Sequence, residues 1–293
     1  MNANNKEIYA ATSDSETWPA LLKELPLKDQ PKRLYMKGTM PPQDSLLVAI
    51  VGTRRPTSYG KSAAYEIAAY LTRLGIVTVS GMAVGIDTVV HKASVENGGK
   101  TIAVLGSGLN SDVIYPQINR PLAQKIVERG GCLISEYEPD TQAAKWTFPS
   151  RNRIIAGMSK AVVIIEARAK SGALITARLA TEYAREVFAL PGSIFHSTAE
   201  GPNRLIQAGA IPITSPDDIP TVLGIDIKKS KERDDKTLSP YERQIIRILE
   251  EPLTLDEIIK KCALPREIVL SSLSRLEIFG VVKSSSEGLY RKT

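Results

Sequence analysis

The sequence predicts an α/β protein: a doubly wound, mostly parallel sheet followed by a small three-helix unit that ends in a hairpin. Three observations carry this. Short runs of Val, Ile, Leu and Ala, apolar on both faces, recur between residues 48 and 214; strands covered by helices on both sides read this way. Amphipathic stretches separate them, and repeated strand–helix alternation builds a parallel sheet. Beyond residue 237 three closely spaced helices follow, each with its own start signal.

Residues 17–47, TWPALLKELPLKDQPKRLYMKGTMPPQDSLL, are Pro-rich, and 1–47 is read as an irregular lead-in. The strands then run VAIV (48–51), IVTVS (76–80), TIAVL (101–105), CLISE (132–136), AVVIIE (161–166), VFAL (187–190) and IPIT (211–214). Between the first two, YGKSAAYEIAAYLTRLG places Ala64, Ile67, Ala68 and Leu71 on one stripe, with Gly75 as its stop. This makes 48–224 a Rossmann-like core. IDIKKSKERDDKT (225–237) is charged, lacks a core pattern and reads as a linker.

In 238–293, SPYE (239–242) is a capping box with Pro at the first helical position, and TLDE (254–257) is a second box. PREIVLSSLSRLEIFG (265–280) runs from Pro to Gly as a third helix. VVKSSSEGLY (281–290) reads as two strands around a Ser/Gly turn. Three helices and a hairpin make a winged-helix domain.

With 43% apolar and 24% charged residues, the chain suits a packed, water-soluble protein. No 18-residue apolar run exists, and MNANNKEIYAATSDSE has no apolar segment. The expectation is a cytoplasmic protein without membrane insertion. Cys132 and Cys262 lie far apart, with only His91 and His196 to assist them. That speaks against a zinc site or a disulfide framework, and no metal or cofactor is expected. The net charge of +6 permits an acidic partner.

VAIVGTRRPTSYGKS (48–62) imitates an ATP-binding phosphate loop, and VVIIEA imitates its acidic strand. The spacing fails. In GxxxxGK[ST] the amides between two glycines wrap one phosphate. Here Arg55 stands five positions before Gly60, and Pro56 removes an N–H. GSGLNS (106–111) likewise lacks the third glycine of a dinucleotide fingerprint. Taken together, however, GTRRP, SGMAVGID, GSGL, SEYEP, EARAKSGA and LPGSIF would gather on the rim formed by the C-terminal strand ends. Helix starts at Gly85 and Gly172, with Arg54, Arg55, Arg168 and Lys170, make that rim anion-binding. No nucleophile or paired acids accompany it.

KWTFPSRNRIIAGMSK (145–160) adds Lys145, Arg151 and Arg153 around Trp146 and Phe148, in a chain that is 5% aromatic. Basic groups hold phosphates and aromatic faces stack exposed bases, as single-stranded nucleic acid requires. For each residue a structural reading stands beside this one: a core plug for the rings, a solvated helix start for the arginines. Asp87 and His91, four apart, read as a local helix pair rather than an acid–base couple. Cys132 reads as a small core residue, and His196 has no evident partner.

In order, GTRRPTSYG, SGMAVGID with a following His, TIAVLGSGL with IYP, ISEYEP, FPSRNRIIAGMS, KSGALITARLA, FALPGS and GPNRLIQAGA resemble the motifs of the DNA-processing protein A family (DprA, also called Smf), over residues 18–224. The resemblance implies a non-enzymatic, single-stranded-DNA-binding protein of competence and natural transformation. Such a protein works as a homodimer, protects incoming strands and loads the recombinase RecA, displacing single-strand-binding protein. Carried over by motif, Gly52, Thr53 and Arg54 form the phosphate-binding loop. Lys145 and Phe148 supply a phosphate contact and a stacking ring, and Arg151, Asn152, Arg153, Ser171 and Gly172 line the same pocket. Val84 and Gln117 stand where many or some relatives carry a base, which removes charge from the rim.

Residues 238–293 hold nine basic against eight acidic residues, and Glu267 and Glu277 accompany Arg266 and Arg275 on the third helix. That balance favours a protein-contact or auxiliary role over strong duplex binding. The rival reading is an enzyme resembling the nucleotide phosphoribohydrolases on a related fold. Their PGGxGTxxE loop has only KSGALITARLATE as a counterpart, with Glu182 retained.

Overall fold

The computed structural model describes residues 7–225, 239–278, 281–285 and 288–292. The chain divides into two compact units, 1–224 and 225–293. Apart from Ile225, the expected linker lies outside the described residues, as do the helix stop at Gly280 and the Ser286–Glu287 part of the turn.

The first unit runs β1 (Ile8–Ala11), a 3-10 turn (Ala20–Glu24), β2 (Leu34–Gly38), β3 (Leu47–Val51), α1 (Ser58–Arg73), β4 (Val77–Ser80), α2 (Ile86–Glu96), β5 (Thr101–Val104), α3 (Arg120–Glu128) and β6 (Cys132–Ser135). It continues with α4 (Thr147–Met158), β7 (Ala161–Ile164), α5 (Gly172–Glu182), β8 (Glu186–Ala189), α6 (Glu200–Gln207), β9 (Ile211–Pro212) and α7 (Asp218–Val222). The sheet order is β1-β2-β6-β5-β4-β3-β7-β8-β9. From β6 through β9 every pairing is parallel, Val48 lying opposite Thr78 on one side and Ala161 on the other. The chain winds outward from β3 to β6, then returns to β7 on the other side of β3. The ends of β3 and β7 therefore flank the topological switch point, where open α/β sheets bind ligands. This is the Rossmann-like core, and β3, β4, β5, β6 and β7 are buried along their whole length, as their two-faced apolar sequences require.

The lead-in departs from expectation. It is not irregular: β1 and β2 extend the sheet antiparallel beyond β6, with Tyr35 opposite Ser135 and Ile8 opposite Lys37. Pro31 and Pro41 bracket LYMKG and mask a strand that covers an otherwise open sheet edge. Trp18, Leu22 and Leu25 are buried in the same core cluster as Ile154 and Met158 of α4, each burial contributing about 1.5–3 kcal/mol. Arg185 ties the 3-10 turn down, donating to Glu24 Oε2 (2.7 Å), Leu21 O (3.0 Å) and Gly157 O (3.3 Å).

The second unit comprises α8 (Pro240–Ile248), β10 (Leu253–Thr254), α9 (Leu255–Cys262), α10 (Arg266–Ile278), β11 (Val282–Ser284) and β12 (Leu289–Lys292). Both capping boxes form, Ser239 with Glu242 and Thr254 with Glu257. Ile245, Leu249, Ile258, Val269, Leu273 and Val282 share one core. The hairpin gains a third strand, β10, in the order β10-β12-β11. The unit is a winged helix. On α10, Arg266 pairs with Asp256 (3.2 Å) and Arg275 Nε lies 3.2 Å from the buried Glu242.

Candidate nucleic-acid interface

At the switch point the loops after β3, β4 and β7 meet the starts of α4 and α5 around a cleft of about 830 Å³. Of the expected site residues, Gly52, Thr53, Arg54, Lys145, Phe148, Arg151, Asn152, Ser171 and Gly172 line it. Arg55, Arg168 and Lys170 line it too. Among the described residues, none of Arg54, Arg55, Lys145, Arg168 and Lys170 forms an ion pair. Asp87 is the one acid among the described lining residues.

Arg153 does not join the cleft. It makes a partly buried ion pair with Glu136 at 2.5 Å. The helix explains this: residues two apart project to different faces, whereas Phe148 and Arg151 are three apart and share one. Arg151 lines the cleft but is nearly fully buried, donating to Gly81 O at 2.6 Å and to Val104 O, with Nε on Asn152 Oδ1 at 3.2 Å. Burial lowers its pKa to about 10, opposed by Asp87 and reinforced by Arg54. Asp87 in turn accepts from the Gly81 and Ala83 amides, both at 3.2 Å, and burial raises its pKa against the pull of Arg151. Arg151 thus pins the ends of β4 and β5 together, and Asp87 holds the loop that follows β4.

Several loop amides are also engaged. Thr53 N donates to Glu166 O (2.7 Å), Arg55 N to Thr53 Oγ1 (3.2 Å) and Ala173 N to the Ser171 hydroxyl (3.3 Å). Side chains, more than these amides, are therefore the groups left to meet an anion, a shift from what the sequence suggests. The resemblance to a phosphate loop also resolves. Glu166 lies at the start of α1, accepting from Thr57 N (2.9 Å) and from the Thr57 and Thr198 hydroxyls (2.7 and 3.1 Å). A Cβ on Gly60 would stand 2.4 Å from its carboxylate. The chain's own carboxylate sits at the helix end that a phosphate loop offers to nucleotide.

The aromatic groups are ordered. Arg54 Cζ stands 5.4 Å from the Phe148 ring centroid, within cation–π range. Tyr115 packs 5.6 Å from Phe148 at 52°. Sequence reasoning took IYP as a motif and passed over its tyrosine, although an exposed aromatic on a rim loop was the available signal. Trp146 does not line the cleft; it is exposed and meets Tyr137 edge-on at 5.7 Å. Val84 and Gln117 do not line it either.

His91 is fully buried, with Nδ1 2.8 Å from Thr101 Oγ1 in a cluster that includes Thr78 and Ser94. Burial, with Arg151 adding, lowers its pKa to about 3. It is a core group. Cys132 is buried, its thiol pushed up to about 12, and His196 lies exposed in the loop after β8. Glu182, which the phosphoribohydrolase reading needs in the site, pairs with Arg178 (3.7 Å) on the exposed surface of α5. Among the described residues, no group of three or more His, Cys, Asp or Glu is placed to hold a metal, and no helix is long and apolar enough to cross a membrane.

Residues 9–224 match the family model of DNA recombination-mediator protein A, and residues 229–288 match that of the DprA winged helix domain. Protein Smf of Escherichia coli K12 is 36% identical over 95% of this chain and 76% of its own length. The DNA processing protein DprA of Bacillus subtilis 168 is 44% identical over 70% of this chain and 68% of its own. Among solved structures, DprA from Streptococcus pneumoniae superposes with a TM-score of 0.68 at 40% identity, covering 73% of this chain and 74% of that one. DprA from Helicobacter pylori, described for its single-stranded DNA binding mode, gives 0.66 at 34% identity over 74% and 96%. The chain belongs to the DNA recombination-mediator protein A family, that of the DNA processing proteins DprA and Smf.

Proposed function

We propose that this family member binds single-stranded DNA in the cleft at its switch point and passes it to a RecA-type recombinase, displacing single-strand-binding protein, as a cytoplasmic homodimer in natural transformation or recombination. The observation that carries the DNA part is the cleft lining: among the described residues it holds five cations without an ion-pair partner, an aromatic pair, and no acid but the buried Asp87. Phosphates neutralise the cations and an unpaired base meets the aromatic edge of the cleft. The contacts are to backbone charge and ring faces, so binding is largely independent of sequence. Binding rather than catalysis fits the lining: Asp87, the one carboxyl among its described residues, is committed to two amides, and His91 is sealed in the core. The DNA recombination-mediator family and the single-strand binding of the Helicobacter pylori relative support this reading.

The test is fluorescence anisotropy with a labelled single strand of ~30 nucleotides and its duplex, across a salt series. Arg54→Ala and Lys145→Ala should each weaken single-strand binding about tenfold or more and reduce the salt slope by ~0.7. Duplex binding that is equal or stronger, and indifferent to both substitutions, would sink the cleft as the DNA site.

A further inference from the structure

We infer that Tyr115, rather than Phe148 alone, presents the base-stacking face of the cleft, and that Phe148 serves chiefly as the platform on which Tyr115 and Arg54 are set. The inference rests on the single-strand reading above and assigns the stacking contact within it. Phe148 is partly buried. One ring edge lies against Gly106, where an added Cβ would stand 2.9 Å from Cδ1 and 3.3 Å from Cε1. The Arg54 guanidinium occupies a place 5.4 Å from its centroid, and Tyr115 leans on it at 5.6 Å. Little of that ring is left for a base.

Tyr115 is the opposite case. It is 48% exposed and lines the same cleft. Its segment is braced from both sides. Asn119 donates to Met82 O and Thr88 Oγ1, both at 2.8 Å, and Arg120 donates to Ile114 O (3.2 Å) and Asp112 O. A ring held in place in the unbound protein loses little freedom when a base stacks on it, and stacking tolerates any base. The adjacent guanidinium is then in reach of the phosphate attached to that nucleotide.

The test uses the full chain and ~12-nucleotide single strands carrying 2-aminopurine at successive positions, whose fluorescence is quenched by an aromatic stack. Tyr115→Leu, which keeps apolar packing against Phe148, should weaken binding about tenfold and restore most of the fluorescence. Tyr115→Phe should behave as the native chain in both readouts. Native affinity and quenching in Tyr115→Leu, while Arg54→Ala still weakens binding, would overturn the inference and leave the DNA site standing. Tyr115→Phe as weak as Tyr115→Leu would also overturn it, assigning the contact to the hydroxyl. Indifference of every variant, Arg54→Ala included, would remove the reading on which the inference rests.

Discussion

The cleft of the first unit and the third helix of the winged helix both carry arginines, and they use them in opposite ways. On α10, Arg266 pairs with Asp256, and Arg275 lies against Glu242, whose side chain is buried. In the cleft, Arg54, Arg55 and Arg168 have no ion-pair partner among the described residues. Arg151, one helical turn from Phe148, belongs with the first group although it lines the cleft. Counting charges therefore misleads: what a phosphate meets is the charge that the fold has not already used.

The comparison is broken most directly by removing an engaged arginine and a disengaged one in turn. Arg151→Ala leaves the Gly81 and Val104 carbonyls without their donor and should cost about 1–3 kcal/mol for each in chemical denaturation. Arg54→Ala should change stability by less than ~0.5 kcal/mol while weakening DNA binding. Equal stability losses would erase the distinction.

Acid separates the two units next. His91 binds a proton near pH 6.5 when unfolded but only near 3 when folded. Between those values the unfolded state holds the extra proton, so stability falls as pH drops, by up to about 1.4 kcal/mol per pH unit. Asp87, raised by burial, acts in the opposite sense, so the measurement is the difference between native and His91→Gln curves. That difference should grow as pH falls from about 6.5 toward 4. The winged helix has no histidine, since both lie in the first unit. A flat difference would mean that His91 is not sealed in the core.

The smallest effect sharpens the contrast. Replacing both Arg266 and Arg275 by Ala should leave single-strand affinity in the anisotropy assay within about twofold, since their charges are engaged by acids. A loss as large as that of Arg54→Ala would move the DNA site to the winged helix.

Much of this was legible in the sequence. The seven strands from β3 to β9 announce themselves because most are buried on both faces, and both capping boxes are local patterns of four residues. β1 and β2 were not legible: Pro-rich flanks hide LYMKG, and no local pattern says that it will cover the edge of β6. β10, two residues long, takes its strand character from pairing with β12. The family resemblance grouped Arg54, Lys145 and Phe148, which the structure brings to one cleft, but did not show the inward turn of Arg151, which depends on carbonyls 70 and 47 residues away. The separation of Arg153 from Phe148 could have been read, since helical periodicity sends positions 148 and 153 to different sides.

The Glu166 carboxylate at the opening of α1 has a consequence for selectivity among solutes. A triphosphate entering there must expel an anion that already accepts three hydrogen bonds, against the repulsion of like charge. The helix end behaves as a socket fitted with its own plug, and on the proposed reading it offers a free nucleotide no seat. A polymer, presenting many phosphates at once along the neighbouring cleft, has no need of that socket.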